Sequence, residues 1–505
     1  MKRLKLSFLL LIITLSAKAQ TTKKYWISFD EEIIKLEQVV PQLDSVNILS
    51  KSNWLNAITT FLTEEEKASW ENLSIVSSVE PVVALQYEYQ EASNKTSKYG
   101  DYITTLDPEY LELLGVDGTG VVAGVIDAGF INVDSGSAFK HFIEEDRILG
   151  YKDFIDGDRE DFFAKQTSGD IHGANVLAYF GGKYHDTQEK IGLATGASFY
   201  LARTENGDKE HLVEEDDWIE AIEWMHGKGV RLVNTSLGYS TFDDSTENHT
   251  IHDMNGKTTK ISIAAQKAAD KGMILVCSAG NLGHKEWKYV SAPADAEGVI
   301  SVGATTKEDL SRAFYSSIGP EFNSYLKPDI ATYSDRGTSY SSPEIAGLVA
   351  CMLQNYPNLT PKEVKKALYV AGHLSKVPNN YLGYGVPDTK ILFDYLAGNY
   401  SEEENEINYL TVKGENAKIH LDKRPKKNLV LYLKSDKVHV QNQAVIKVKD
   451  IWPAPKAAMF ARKSTLPKRN KKIGIKSTEF SLVKFPEIKY STLIVDGEIT
   501  EIIWE

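Results

Sequence analysis

Val121-Val122-Ala123-Gly124-Val125-Ile126-Asp127-Ala128-Gly129 runs six apolar or small residues straight into a carboxylate and a glycine turn. A run that is apolar on both faces suits a strand in a parallel sheet covered by helices on each side, not a strand with one wet face. Phe199-Tyr200-Leu201-Ala202, Arg231-Leu232-Val233-Asn234 and Met273-Ile274-Leu275-Val276-Cys277 read the same way. Residues 214–227 and 261–272 have the length and pattern of crossover helices between them. Alternating strands and helices predict an α/β fold with a doubly wound, mainly parallel sheet. Sites on such sheets form at the carboxyl ends of the strands, which is where Asp127 stands.

Three further segments place chemically useful residues at strand ends or helix starts. His172 opens His172-Gly173-Ala174-Asn175-Val176-Leu177, just before a helix-like stretch. Gly337-Thr338-Ser339-Tyr340-Ser341-Ser342-Pro343 precedes an apolar run over 345–353. Pro343 is expected in the first helical turn, where a missing N–H is tolerated, so Ser339 stands at the N-terminus of a buried helix. Val276-Cys277-Ser278-Ala279-Gly280-Asn281 ends a strand with an amide side chain. Taken singly, Asp127 reads as a turn cap, His172 as a structural histidine and Ser339 as an N-cap. Taken together they are the parts of acyl transfer. A histidine takes the proton of the serine, a carboxylate holds the histidine, and Asn281 with the helix N-terminus receives the oxyanion.

The order Asp, His, Ser differs from those of chymotrypsin-like and α/β-hydrolase enzymes and resembles that of the subtilases, the subtilisin-like serine proteases (peptidase family S8). The serine box at 337–343, the oxyanion segment Ser278-Ala279-Gly280-Asn281 and the groove strand Asn234-Thr235-Ser236-Leu237-Gly238 are all similar to the family's. So are Gly192-Leu193-Ala194-Thr195-Gly196-Ala197, Lys327-Pro328-Asp329-Ile330 and Gly383-Tyr384-Gly385-Val386-Pro387, in the same order. The histidine box departs from His-Gly-Thr-His, with Ala174 and Asn175 in the last two positions and Ile171 before His172. A similar box occurs in subtilases of some gliding bacteria. The resemblance implies a serine endopeptidase with Asp127, His172, Ser339 and Asn281 as catalytic residues. It further implies substrate binding along Ser236, Leu237, Gly238, Ser278, Ala279 and Gly280, with Ser291 near the pocket base. Residues 21–95 resemble the family's inhibitor-like propeptide. The carboxylate-rich loop 153–161 lies where the family often binds calcium, so Asp153, Asp156 and Asp158 are expected ligands of a structural Ca2+; no cofactor is required.

The rest of the chain frames this core. Lys2, Arg3 and Lys5, an apolar run over 6–15 and Ala17-Lys18-Ala19 form a signal peptide over 1–19, implying a protein that is secreted, periplasmic or at the cell surface. A propeptide of α+β type is expected over 20–95, the catalytic domain over 96–397 and a small β domain over 407–505. The net charge of −13 argues against a nucleic-acid binder. It is unevenly spread, since 421–476 holds sixteen Lys or Arg against three Asp. That basic stretch suits either docking on the acidic catalytic domain or attachment to anionic cell-surface polymers. Later segments lack transmembrane length. Cys277 and Cys351 lie in apolar runs and read as buried thiols, not a bridge. Gly118-Thr119-Gly120 precedes its strand instead of following one, which removes a dinucleotide fingerprint. Neither a Gly-x-Ser-x-Gly elbow nor a zinc-type Cys/His cluster occurs. The partners expected are protein or peptide substrates. The rival reading is a non-catalytic cell-surface binding protein on the same scaffold.

Overall fold

The computed structural model describes residues 23–30, 43, 46, 50–52, 57–81, 98–157, 161–165, 167–207, 213–243, 246–401, 407–448 and 478–505. The expected signal peptide, the polar run 91–97, Asp158, the acidic run 402–406 and the basic residues of 449–477 lie outside them. The chain forms two compact units, 1–95 and 96–505.

In the first unit, β1 (Lys23–Phe29), β2 (Ser50–Ser52), β3 (Ala57–Leu62) and β4 (Val76–Pro81) form an antiparallel sheet in the order β2-β3-β1-β4. Alternate residues Tyr25, Ile27 and Phe29 of β1 face one core with Ile58, Leu62 and Val79, as the period of a strand requires. Helix α1 (Glu64–Glu71) opens on a reciprocal capping box: Glu66 N–H donates to Thr63 Oγ1 at 3.2 Å, and Thr63 N–H donates to Glu66 Oε2 at 2.7 Å.

The second unit is built on seven strands: β5 (Val122–Asp127), β6 (Ile148–Asp153), β7 (Ser198–Arg203), β8 (Leu232–Thr235), β9 (Ile274–Ser278), β10 (Ile300–Thr305) and β11 (Ile330–Tyr333). Their order is β11-β10-β9-β8-β5-β7-β6, and every neighbouring pair is parallel. The unit's helices of eight or more residues, among the described residues, are α2 (Asp170–Gly181), α3 (Val213–Gly227), α4 (Lys260–Asp270), α5 (Thr338–Asn355), α6 (Pro361–Ala371) and α7 (Thr389–Leu396). Strand β8 shows how both faces are used. Val233 packs with Trp218, Ile222 and Met225 of α3 and Ala265 of α4, while its neighbour Asn234 turns the other way and accepts a hydrogen bond from Ser342 of α5. The sheet is thus wound on both sides, as expected. Cys277 and Cys351 are free and buried.

Strands β12 (Asn408–Val412), β13 (Asn416–Leu421), β14 (Leu429–Lys434), β15 (Val440–Ile446), β16 (Thr478–Val483), β17 (Tyr490–Val495) and β18 (Glu498–Trp504) form the C-terminal β domain. Five of them pair in the order β12-β18-β17-β14-β15, and β13 pairs with β16. Every residue of β14 is buried. Leu429, Leu431 and Leu433 face the domain's own core with Phe480, Leu482 and Leu493. Val430 and Tyr432, on the opposite side, pack with Leu374, Val377, Tyr381 and Leu382 of the α/β part. The described part of this domain thus meets the α/β part through a shared apolar core, while more than half of the basic residues of 421–476 lie outside the described residues. Among the described residues no helix is long and apolar enough to cross a membrane.

Candidate active site

Asp127 is the last residue of β5, and β8 and β9 end beside it at Thr235 and Ser278, so three carboxyl ends share one edge. His172 is the third residue of α2 and Ser339 the second of α5. Both helices begin earlier than expected. His172 lies within its helix, not before it, and Pro343 sits inside α5, five residues past its start. Burial of the whole segment from Thr338 to Leu353 overrides the weak helix preference of Gly-Thr-Ser-Tyr-Ser-Ser. The displaced proline has a consequence. Pro343 offers no N–H to the carbonyl of Ser339, four residues back, and Ser236 Oγ donates to that carbonyl instead at 2.8 Å. Ser339 Oγ in turn donates to the carbonyl of Ser236 at 3.3 Å. Asn234 Nδ2 donates to Ser236 Oγ at 3.1 Å, and Ser342 Oγ donates to Asn234 Oδ1 at 2.7 Å. Helix α5, the end of β8 and the chain that follows it are stitched together by side chains.

Asp127 is fully buried, and its Oδ1 lies 2.6 Å from His172 Nδ1 and accepts from Ala128 N–H at 2.8 Å. Glycine at 173 permits this approach, because a Cβ there would stand 2.3 Å from the Gly129 carbonyl and 2.8 Å from Asp127 Cβ. The altered residues Ala174 and Asn175 lie on later positions of α2 and leave that contact intact. Burial pulls the His172 pKa down, but the charge of Asp127 and its hydrogen bond outweigh it and hold the ring above its ordinary 6.5.

Asn281 is exposed beyond β9. Its Oδ1 accepts from Thr338 N–H at 2.9 Å and from Thr338 Oγ1 at 3.1 Å, which leaves Nδ2 as the donating end. Across the groove Ser236, Leu237, Ser278 and Ala279 are buried, whereas Gly238 and Gly280 reach the surface. The six expected substrate contacts are thus brought together, though mainly as backbone. Ser291 is buried between them: a Cβ on Gly238 would lie 3.1 Å from Ser291 Cβ, and one on Gly280 3.3 Å from Ser291 Oγ. Gly280 has φ +101°, a conformation that favours glycine. Sequence reasoning missed Asn234, Thr338 and Ser342 as supports, although all three lie in or next to motifs it had singled out.

The acidic loop holds a different partner from the one expected. Asp153 Oδ2 and Asp156 Oδ2 lie 2.8 and 3.0 Å from Arg203 Nη1, and Asp170 Oδ1 lies 3.8 Å from Arg203 Nε. Asp153 Oδ1 is taken up by the N–H groups of Ile155 and Asp156. Asp158 lies outside the described residues. Two of the three carboxylates expected to bind calcium are thus paired with a buried guanidinium. No group of three or more metal-ligating side chains occurs among the described residues. Arg203 Nε also donates to the Ala128 carbonyl at 3.2 Å, tying this cluster to the turn after Asp127.

The subtilase family model matches residues 118–385. Among curated proteins, Subtilisin DY of Bacillus licheniformis is 26% identical over 54% of this chain and 90% of its own length. The subtilisin-like serine protease Cur l 4.0101 of Cochliobolus lunatus is 30% identical over 52% of each chain. The thermostable alkaline protease of Halalkalibacterium halodurans is 24% identical over 71% of this chain and 89% of its own. A solved structure of a cold-adapted subtilisin-like serine proteinase aligns with a TM-score of 0.37 at 23% identity, over 54% of this chain and 88% of that one.

Two outcomes follow from this geometry. Because the His172 pKa is raised, the stability from its pairing with Asp127 is full below 6.5 and is lost as pH rises through the folded value. Work by the neutral ring shows the opposite trend, so the acid limb of kcat/KM should lie above pH 6.5 and shift to lower pH in Asp127→Asn, where burial alone remains; a limb at or below 6.5 in the intact protein would contradict this. Arg203→Met should cost about 3–5 kcal/mol in denaturant unfolding by stranding buried carboxylates, while a chelator leaves Tm unchanged. A drop of several degrees on chelation would place a cation in the loop after all.

Proposed function

The chain belongs to the subtilase family of serine endopeptidases, and on that premise we propose that it cleaves peptide bonds through an acyl-enzyme on Ser339. His172 takes the proton of Ser339 Oγ as the hydroxyl attacks the scissile carbonyl, then returns it to the leaving amine. Asp127 holds the Nδ1–H tautomer and stabilises the imidazolium. Ser339 Oγ rests on the Ser236 carbonyl and must turn to the imidazole when substrate binds; catalytic hydrogen bonds are often incomplete in substrate-free proteins. Asn281 Nδ2 and the Ser339 N–H receive the oxyanion, helped by the positive end of α5. The observation that carries this reading is the 2.6 Å contact of Asp127 with His172 at the sheet edge where α5 presents Ser339. Every group it uses belongs to the chain itself, and calcium has no step in it.

The substrate lies extended between Gly238 and Gly280, meeting backbone on both sides, with its leading side chain pointing toward Ser291. Small walls there favour a sizeable apolar residue. Residues 1–19 direct export, 20–95 serve as the propeptide, 96–397 as the catalytic domain and 407–505 as the C-terminal domain. The break between the compact units at 95 and 96 supports that division. Export would place the enzyme outside the cytoplasm, and the basic stretch 421–476 would hold it to anionic surface polymers.

Ser339→Ala should abolish cleavage of casein-like substrates. Asn281→Ala should lower kcat by about 10²–10³ with little change in KM, a range measured on a subtilisin itself. Casein cleavage by purified Ser339→Ala at the wild-type rate would overturn the mechanism.

A further inference from the structure

The oxyanion segment has two supports, and only one belongs to the catalytic machinery. On one side Thr338 holds Asn281 Oδ1, and Gly280 N–H donates to Thr338 Oγ1 at 3.0 Å. On the other side lies the loop 311–319. Ser317 N–H donates to the Gly280 carbonyl at 3.0 Å, Leu282 N–H to Ser317 Oγ at 3.1 Å and Gly283 N–H to the Tyr315 carbonyl at 2.8 Å. Asn281 sits in the middle of these three bonds. The loop therefore holds the segment on both sides of Asn281.

That loop is fixed from the C-terminal domain. Gln443 of the edge strand β15 accepts from Arg312 N–H at 2.9 Å and donates to the Arg312 carbonyl at 3.3 Å, so one side chain satisfies both backbone groups of a single residue. The Arg312 side chain then folds back over the Tyr381 ring, 4.6 Å from its centre, and donates to the Ser316 carbonyl. At the other end both backbone groups of Gly319 pair with Asn380, the N–H donating to its carbonyl at 2.8 Å and the carbonyl accepting from its side-chain Nδ2 at 3.3 Å. Asn380 is itself held by β15, since Val440 N–H donates to its Oδ1 at 2.8 Å. Upstream, Asn428 Nδ2 donates to Asp309 Oδ2 at 3.3 Å. Both ends of the loop are thus anchored to one strand, which the apolar core shared through Val430, Tyr432 and Val440 keeps in place.

We propose that the C-terminal β domain sets the position of the oxyanion donor, with Gln443 as a positioning residue that acts through Arg312 and the loop 311–319 on Asn281. The proposal rests on the acyl-transfer reading above. A surface domain that only added stability would have no need to clamp the loop at both ends or to pair with its backbone. Here the pairing is aimed at the segment whose carbonyl and amides hold Gly280 to Gly283. Loss of the clamp leaves the triad and the groove strand untouched, so substrate binding should persist while the donor drifts from the place where charge develops.

The test is a double-mutant cycle in the full chain, Gln443→Ala against Asn281→Ala, with Gln441→Ala on the same strand as control. Gln443→Ala should lower kcat roughly tenfold with KM within about twofold, and should do nothing further in the Asn281→Ala background. Gln441→Ala should leave both constants alone. Wild-type kcat in Gln443→Ala, or an equal loss in both backgrounds, overturns the proposal. Amide hydrogen exchange of residues 280–283, read in the same proteins, decides the matter without turnover. Faster exchange in Gln443→Ala but not in Gln441→Ala is expected; unchanged exchange refutes the clamp. An inactive wild-type protein in which Gln443→Ala still loosens 280–283 would count against the acyl-transfer reading and leave the clamp standing.

Discussion

The catalytic half depends on the burial of one helix. Residues Thr338 to Leu353 of α5 are buried without a break, so the helix has no free face on which to rotate or slide. Fixing that helix fixes Ser339 at its start and, through Thr338, holds the Oδ1 side of Asn281. Pro343 then turns a backbone defect into a contact, because the carbonyl it leaves without a donor is met by Ser236 Oγ. The groove strand, Ser339 and one side of Asn281 are held by this one buried element.

The histidine side is held differently. Asp127 ends a buried strand, and His172 reaches it only because Gly173 has no side chain. Behind Asp127, Arg203 gathers Asp153, Asp156 and Asp170 and ties the Ala128 carbonyl into the same cluster. The cation that neutralises these carboxylates is covalently part of β7. That arrangement ties the loop to a single guanidinium.

Much of this was legible in the sequence, for identifiable reasons. Strands β5, β7, β8 and β9 are continuous apolar runs, and their ends carry the chemistry, so period and position agreed. Strand β6 was missed because its residues alternate between half-buried and exposed, and β11 because Lys-Pro-Asp precedes only four strand residues. The start of α5 was misplaced because local propensity favours the proline as the opening turn and tertiary burial favours Thr338. Arg203 was invisible as a partner of Asp153, fifty residues away in sequence and adjacent only through the pairing of β6 with β7. The packing of Val430 and Tyr432 on the α/β part was not legible in the basic character of 421–476, because it depends on which face of β14 they occupy.

The central claim is that Ser339 is an activated nucleophile. The most direct measurement is mass mapping of the intact protein after reaction with a serine-directed fluorophosphonate. The account predicts one adduct, on the peptide containing Ser339, absent when His172 is replaced by alanine. Labelling elsewhere, or none in the folded protein at a pH above the acid limb, would contradict it.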